Sequence, residues 1–316
     1  KEDKASHTEP TDQYLYSSYW GSSSLVPTND YMFVEGKAIG LVRGFVSEGF
    51  YTVNDFRYEN GQYILKEGIP DITKALTATY MHPFNIPNGQ TAFPGAAKFR
   101  DVNNSGTVDL DDATCLGEVM PRHTGSFQLN FNYKNFDLSS NFNWTAGGKV
   151  YNVAAMINAS GQEFDGIGAQ RTSWVADTYK VYNVNSSGDL YAVTDPNELN
   201  ALNANAKYHL PYHQSGITSS EWLEDGSYLR LQTLTLGYTL PHTVLNKIHI
   251  EKLRIYLTAT NLFTITGYSG IDPEVNATPT GQSGFYSNLR VFPTLNMDFG
   301  TYPRARTFTL GGNITF

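Results

Sequence analysis

The stretch that most restricts the fold is "RTFTLGGNITF", residues 306–316. Phe308, Leu310, Gly312, Ile314 and Phe316 share one face, and Thr307, Thr309, Gly311, Asn313 and Thr315 share the other. Side chains of a strand alternate between its faces, so a strict period of two predicts a strand with one apolar and one polar side. "TGSFQLNFNYK" (124–134) repeats the pattern, with Phe127, Leu129, Phe131 and Tyr133 against Ser126, Gln128, Asn130 and Asn132. "NFDLSSNFNW" repeats it again, with Phe136, Leu138, Phe142 and Trp144 against Asp137, Ser139, Asn141 and Asn143. Strands of ordinary sandwiches run about 5–6 residues, whereas a strand that crosses a bilayer needs about 9–11. These runs have the second length. Their polar faces are nearly free of charge and their apolar faces carry aromatics near the ends, which suits lipid on one side and a wet lumen on the other. A large soluble β-sandwich is the competing reading of the same pattern.

The spacing of the runs separates the two readings. Lys134-Asn135 joins 124–134 to 136–146 in a tight turn. About 80 residues then precede "GSYLRLQTLTLGYTL" (226–240), and the short link "PHTVLNKIHIEK" leads on to "LRIYLTATNLFTIT" (253–266). About 40 residues separate that run from the last one, and about 100 precede residue 124, with a weaker strand candidate at "TDQYLYSSYW" (11–20). In an antiparallel meander all the short turns fall on one side and all the long connections on the other. Outer-membrane barrels have this asymmetry, with short periplasmic turns and long extracellular loops. Structureless loops beyond about 12–15 residues are uncommon in compact domains. About six strands are too few for a closed barrel, since the smallest single-chain bacterial barrels have about eight. An open sheet in lipid would leave each edge N–H and C=O unpaired at several kcal/mol. The chain is therefore expected to be the C-terminal part of a large antiparallel transmembrane β-barrel, or to pair with another chain.

Composition agrees. Aromatics make up 14% of the 316 residues and charged residues only 16%, which favours strands and turns over helices. The net charge of -8 argues against a nucleic-acid partner, because phosphate binding needs basic patches. No run of 18 apolar residues is present to form a transmembrane helix.

The sharpest local motif is "DVNNSGTVDLDD", Asp101–Asp112. Calcium takes six to eight oxygen ligands, and a twelve-residue loop supplies them from alternate positions with a glycine at the sixth. Asp101, Asn103, Ser105, the Thr107 carbonyl, Asp109 (through water) and Asp112 stand at positions one, three, five, seven, nine and twelve, and Gly106 stands at six. The loop is expected to hold a structural Ca2+ and so tie down an extracellular segment too polar to bury a core. A solvated acidic turn is the plain alternative. "PGAAKFR" before it and Pro121 after it do not support flanking helices.

Other chemistry is thin. Cys115 is the only cysteine and reads as a packing residue. Glu221, Glu224 and Asp225, and Asp272 with Glu274, are carboxylate pairs by adjacency, which does not establish the two-carboxyl spacing of a glycosidase. His82, His123, His242 and His249 are scattered, and Pro211 breaks any helix that would align His209 with His213. No catalytic residue is assigned, and the aromatic-rich loops point to no single substrate-contact residue.

Several ordered blocks then carry a resemblance. "VEGKAIGLVRGFVSEGFYTVNDF" (34–56), "DVNNSGTVDLDD", "LGEVMPRHTGSFQLNFNYKNFDLSSNFNWTAGGKVYN" (116–152), "WLEDGSYLRLQTLTLGYTLP" (222–241), "LRIYLTATNLFTITGYSGIDPEV" (253–275) and "YPRARTFTLGGNITF" (302–316) resemble the C-terminal third of SusC/RagA-type TonB-dependent transporters of Bacteroidota. The last residues, with Thr309, Gly311, Ile314 and Phe316, also look like the signal read by the barrel assembly machinery. The resemblance implies a 22-stranded barrel with an N-terminal plug and a TonB box, neither of which lies in this sequence. Residues 1–316 are thus expected to be the C-terminal barrel segment of a longer protein, with a long extracellular loop region at 21–123. It further implies import of oligosaccharides or oligopeptides across the bacterial outer membrane, with no bond-breaking step. The implied partners are the plug and N-terminal strands of the same transporter, a SusD-like lipoprotein, the TonB complex, and a second transporter–lipoprotein pair in a dimer. The loops would be extracellular and the C-terminus periplasmic. Two other readings compete: a secreted calcium-dependent β-sandwich binding module, and a two-chain structural barrel without transport.

Overall fold

The computed structural model describes residues 13–16, 31–74, 76, 82–160, 176–210, 217–245, 250–275, 296–298 and 300–316. The chain divides into two compact units, and each draws on three separate stretches of sequence.

One unit comprises Val119–Val150, Glu224–Asn276 and Gly300–Phe316. It is built on a five-stranded sheet of β1 (His123–Tyr133), β2 (Phe136–Ala146), β3 (Tyr228–Thr239), β4 (Lys252–Thr266) and β5 (Thr307–Thr315). The strands pair in sequence order, every pair antiparallel. Five of the six expected strands are therefore present within a residue or two of their predicted ends. Lys134 turns the β1–β2 hairpin at φ +52°.

Register carries the two-faced pattern across the whole sheet. Phe131, Leu138, Leu236, Leu257 and Leu310 form one continuous cross-strand row, and Asn130, Ser139, Thr235, Thr258 and Thr309 form its polar neighbour. The apolar row is open: Phe131 is 63% and Leu310 75% exposed. A sandwich would bury that face against a second sheet. A lipid-facing barrel wall leaves it uncovered. The phase survives a bulge at which Gln232 is the extra residue against β2 and, on its other side, faces two residues of β4, Asn261 and Leu262.

Two glycines make room on the polar face. A Cβ at Gly311 would overlap the ring of Tyr256 on β4, and one at Gly237 would overlap the carboxylate of Asp137 and the guanidinium of Arg254. The last pair of β5 with β4 is Thr307 with Thr260. Further pairing is unfavourable for a local reason. Alternation would turn Arg306 and Arg304 onto the apolar face, and Pro303 has no N–H to donate.

The other unit comprises Lys1–Glu118, Tyr151–Leu223 and Ala277–Phe299. Of the weak strand candidate at 11–20, the described residues Gln13–Tyr16 form a strand that does not join the long strands. It pairs with Tyr31–Val34 in a separate four-stranded sheet completed by Leu41–Gly44 and Thr114–Glu118. The region expected as loop over 21–123 thus contains short strands. It also helps build a core, contrary to the expectation that it is too polar to bury one. Phe45, Tyr51, Phe56, Tyr63, Phe84, Phe93 and Phe99 pack there with Tyr179, Val193 and Leu199 from the later stretch. The physical reason is aromatic content. Each large ring buries much apolar surface, so few residues suffice. The rings keep their polar tips satisfied: Tyr51 donates to the Pro70 carbonyl at 2.7 Å and Tyr63 to that of Thr194 at 2.8 Å.

Candidate functional site

The loop 101–112 is closed by hydrogen bonds between its own carboxylates and backbone. Asp101 accepts from the Ser105 and Gly106 amides at 3.0 and 2.7 Å, and Asn103 Oδ1 accepts from Ser105 N at 2.8 Å. Gly106 takes the left-handed φ of +87° that the turn requires. Asp112, 1% exposed, accepts from Val102 and Asn103 N–H through Oδ1 and from Asp109 N–H through Oδ2 at 2.9 Å. Ser105 Oγ donates to the Thr107 carbonyl at 2.9 Å, and Asp109 Oδ1 accepts from Asp111 N–H at 2.9 Å. Thr107 and Val108 then pair in parallel with Asp71 and Ile72. Arg43 donates to the Leu110 carbonyl at 3.2 Å; burial pushes its pKa down, and Asp111 opposes that. The structure therefore draws all six expected calcium ligands into one knot of hydrogen bonds. Among the described residues, however, no three His, Cys, Asp or Glu side chains converge as a group able to hold a metal. The carboxylates accept from backbone amides of the same loop.

The polar face of the five-stranded sheet is a field of amides and hydroxyls. Gln128 donates to Ser139 at 3.1 Å, Asn143 donates to Gln232 at 2.6 Å, and the Thr235 and Thr258 hydroxyls share a bond of 2.9 Å. Charges on this face are paired in two places. Near the short turn, Arg254 grips Asp137 with Nε–Oδ1 at 2.9 Å and a second bond from Nη2, crossing above Gly237.

At the opposite end, Arg230 of β3 is 3% exposed. Its Nε donates to Thr264 at 3.0 Å, Nη1 donates to Glu274 at 3.1 Å, and Nη2 donates to Asp272. Arg304, from the approach to β5, reaches the same carboxylates, at 2.6 Å from Glu274 and 4.0 Å from Asp272. Two arginines and two carboxylates thus neutralise one another where the connection after β4 and the approach to β5 come together. The aromatic face of Tyr228 lies 5.3 Å from the Arg230 guanidinium.

This geometry reassigns the carboxylates read from adjacency. Asp272 and Glu274 are held as arginine partners. Glu224 accepts from Ser269 N and Oγ at 2.7 and 2.6 Å. Asp225 accepts from Ser227, whose hydroxyl and amide hold its pKa below the usual carboxylate range. Glu221 faces His209 at 3.8 Å, and burial raises its pKa against the pull of that histidine. His213 and His249 lie outside the described residues. Sequence reasoning missed Arg230, Arg254 and Arg304. For Arg230 and Arg254 the available signal was an ionisable residue inside a membrane-length strand, which calls for a named partner.

Comparison with known proteins gives the following. No family model matches the chain. It is 28% identical over 282 residues to TonB-dependent receptor P3 of Formosa agariphila, covering 89% of this chain and 22% of the relative. It is 30% identical over 223 residues to TonB-dependent receptor P26 of the same organism, covering 70% of this chain and 20% of the relative. Identity to TonB-dependent receptor SusC of Bacteroides thetaiotaomicron is 27% over 225 residues, covering 69% of this chain and 17% of the relative. The chain thus spans about a fifth of the length of the curated relatives it matches. Among solved structures, the RagAB peptide transporter superposes with a TM-score of 0.53 at 17% identity, over 92% of this chain and 24% of that one. The RagAB peptide importer in its closed-closed state gives 0.51 at 20% identity, over 92% and 24%. These two show a shared fold.

Proposed function

The chain belongs to the SusC/RagA family of TonB-dependent receptors, and from that premise we propose that it supplies outer-membrane barrel strands and surface loops for TonB-dependent import of oligosaccharides or oligopeptides. The observation that carries the reading is the five-stranded meander with an uncovered apolar face and a neutral polar face. Lipid accounts for the first face and a solvated lumen for the second. Long connections leave from the end opposite the Lys134-Asn135 turn, so the long loops are assigned to the extracellular side and Phe316 to the periplasm. A wall with its charges paired internally suits a polar, hydrogen-bonding cargo. The partners in this reading are the rest of the same barrel with its plug, a SusD-like lipoprotein lid, a second such pair, and the TonB complex.

The test uses the complete transporter in cells. Labelled oligosaccharide and oligopeptide pools are offered to strains with and without the gene, and with TonB function removed. Uptake of one pool that needs both supports the reading. A protein extracted by water without detergent, or uptake indifferent to TonB, overturns it.

Calcium at 101–112 remains a separate proposal. Ligand spacing and the Gly106 turn support it, while binding requires Asp101, Asp109 and Asp112 to converge further than they do here.

A further inference from the structure

The middle of the polar face carries threonines in register on three strands. Thr233, Thr260 and Thr307 stand side by side on β3, β4 and β5, and Thr235, Thr258 and Thr309 form the next row toward the short turns. Neighbouring strands lie about 4.8 Å apart and alternate residues of one strand about 7 Å apart, so the six side chains cover a patch of roughly 10 by 7 Å. They are half-buried on β3 and β4 and exposed on β5. Thr235 and Thr258 bond to each other at 2.9 Å, and the other four hydroxyls have no partner among the described residues.

An aromatic ring and a charge pair border the patch. Tyr256, two residues before Thr258 on the same face, lays the far edge of its ring over Gly311, where a Cβ would overlap it. The Arg254 guanidinium lies 5.0 Å from the centre of that ring. Arg254 donates to Asp137 from Nε and Nη2, and Nη1 makes no bond among the described residues. The two side chains are 25% and 30% exposed, so the pair is open at the face.

These groups favour one kind of ligand. A hydroxyl both donates and accepts, so it matches another hydroxyl in either direction. A tyrosine ring adds an apolar surface beside that polar field, the combination of apolar contact and a few placed polar groups that orients a small ligand. Charged peptide side chains would find no spare counter-charge, because Arg254 with Asp137 and Arg230 with Asp272 and Glu274 already pair at the two ends of the face. An extended peptide backbone satisfies its own amides along a strand edge, and this patch is a sheet face. We propose that it is a saccharide subsite: Tyr256 and the Arg254–Asp137 pair seat one neutral sugar ring, and the threonine rows take the hydroxyls of the next. The subsite narrows the cargo to oligosaccharide, and its use in import rests on the functional reading above.

Direct binding tests it. The complete transporter in lipid nanodiscs is titrated with neutral linear oligosaccharides and, separately, with a neutral Gly/Ser peptide of equal length, each followed by saturation-transfer NMR. Thr233→Val/Thr235→Val/Thr258→Val/Thr260→Val keeps β-branched side chains on both strands, and heat-modifiable migration checks that it folds. It is expected to weaken sugar binding about 5- to 150-fold, the loss for two ordinary neutral hydrogen bonds. Should it not fold, Thr260→Val/Thr307→Val is read in its place. Tyr256→Leu should also weaken binding, and Leu236→Val/Leu257→Val on the apolar face should leave it unchanged. A wild type that binds no oligosaccharide, a folded threonine variant with undiminished affinity, or equal losses for sugar and peptide overturns the subsite. Uptake of both pools is measured in parallel. Sugar binding through these residues without TonB-dependent uptake would sink the import reading and leave the subsite standing.

Discussion

Leu310→Lys separates a lipid-facing sheet from a water-facing one by the size of a single effect. β5 has nine residues, and at about 3.4 Å per residue and a tilt near 40° it covers roughly 23 Å of an apolar band about 25 Å tall. Position 310 is one residue from the middle of that strand, on the row shared with Leu257, Leu236, Leu138 and Phe131. A lysine at the midplane costs about 2–4 kcal/mol, or roughly 30- to 1000-fold in the folded population at ~1.4 kcal/mol per decade. In water the same change at a side chain 75% exposed would stay within about 0.5 kcal/mol. Thr309→Lys is the control, because Thr309 faces the other way, opposite Thr258. The complete transporter is folded into lipid vesicles and titrated with urea, with folding read from heat-modifiable migration. A loss for Leu310→Lys with little change for Thr309→Lys supports the assignment of faces. Equal costs, or no cost at 310, would falsify it.

Four further outcomes follow from particular contacts. Arg230→Met leaves Asp272 buried with Arg304 at 4.0 Å as its nearest cation, and should cost about 3–5 kcal/mol in the same urea titration, with Arg230→Met/Asp272→Asn costing less than the two singles together. Gly311→Val drives a side chain into the Tyr256 ring and should cost about 1–3 kcal/mol, which Tyr256→Ala in the same chain should partly recover. The raised pKa of Glu221 means that the folded state binds its proton more tightly than the unfolded state. Its contribution is therefore full below the unfolded value and lost as pH rises through the folded one, and Glu221→Gln should raise the thermal midpoint at neutral pH and flatten that slope. Terbium luminescence sensitised by nearby aromatics checks the 101–112 loop: saturable, calcium-displaced signal that vanishes in Asp101→Asn/Asp112→Asn supports an ion there, and signal indifferent to both changes removes it.

The long strands were legible in sequence because a half-buried strand writes its exposure into every second residue. One slip of register would invert the whole face, so the pattern in "RTFTLGGNITF" and "TGSFQLNFNYK" survives into the structure with its ends nearly unmoved. The short strands were not legible. Gln13–Tyr16, Leu41–Gly44 and Ala97–Phe99 are too brief for a period to declare itself, and Ala97 and Phe99 of the last join a core drawn from segments far apart in the chain. The calcium-like loop shows a different limit. Its spacing predicted which residues would cluster, and Asp101, Asn103, Ser105 and Asp112 do knot together. Spacing alone did not name the backbone amides that the same oxygens also accept from.

The charge network explains why two distant blocks of sequence behave as one feature. "SYLRLQTLTLGYTLP" brings Arg230 onto the polar face, and "NLFTITGYSGIDPEV" returns Asp272 and Glu274 to it after β4 ends. Neither block makes sense alone. An arginine 3% exposed on a membrane-length strand is untenable without carboxylates, and a pair of carboxylates with Asp272 nearly buried is untenable without arginine. Adjacency alone gave Asp272 and Glu274 no chemical role; placed across from Arg230 and Arg304, they are held as ion-pair partners. The acidic residues here shape the end of the sheet and fix where its longest described strand hands over to the following connection.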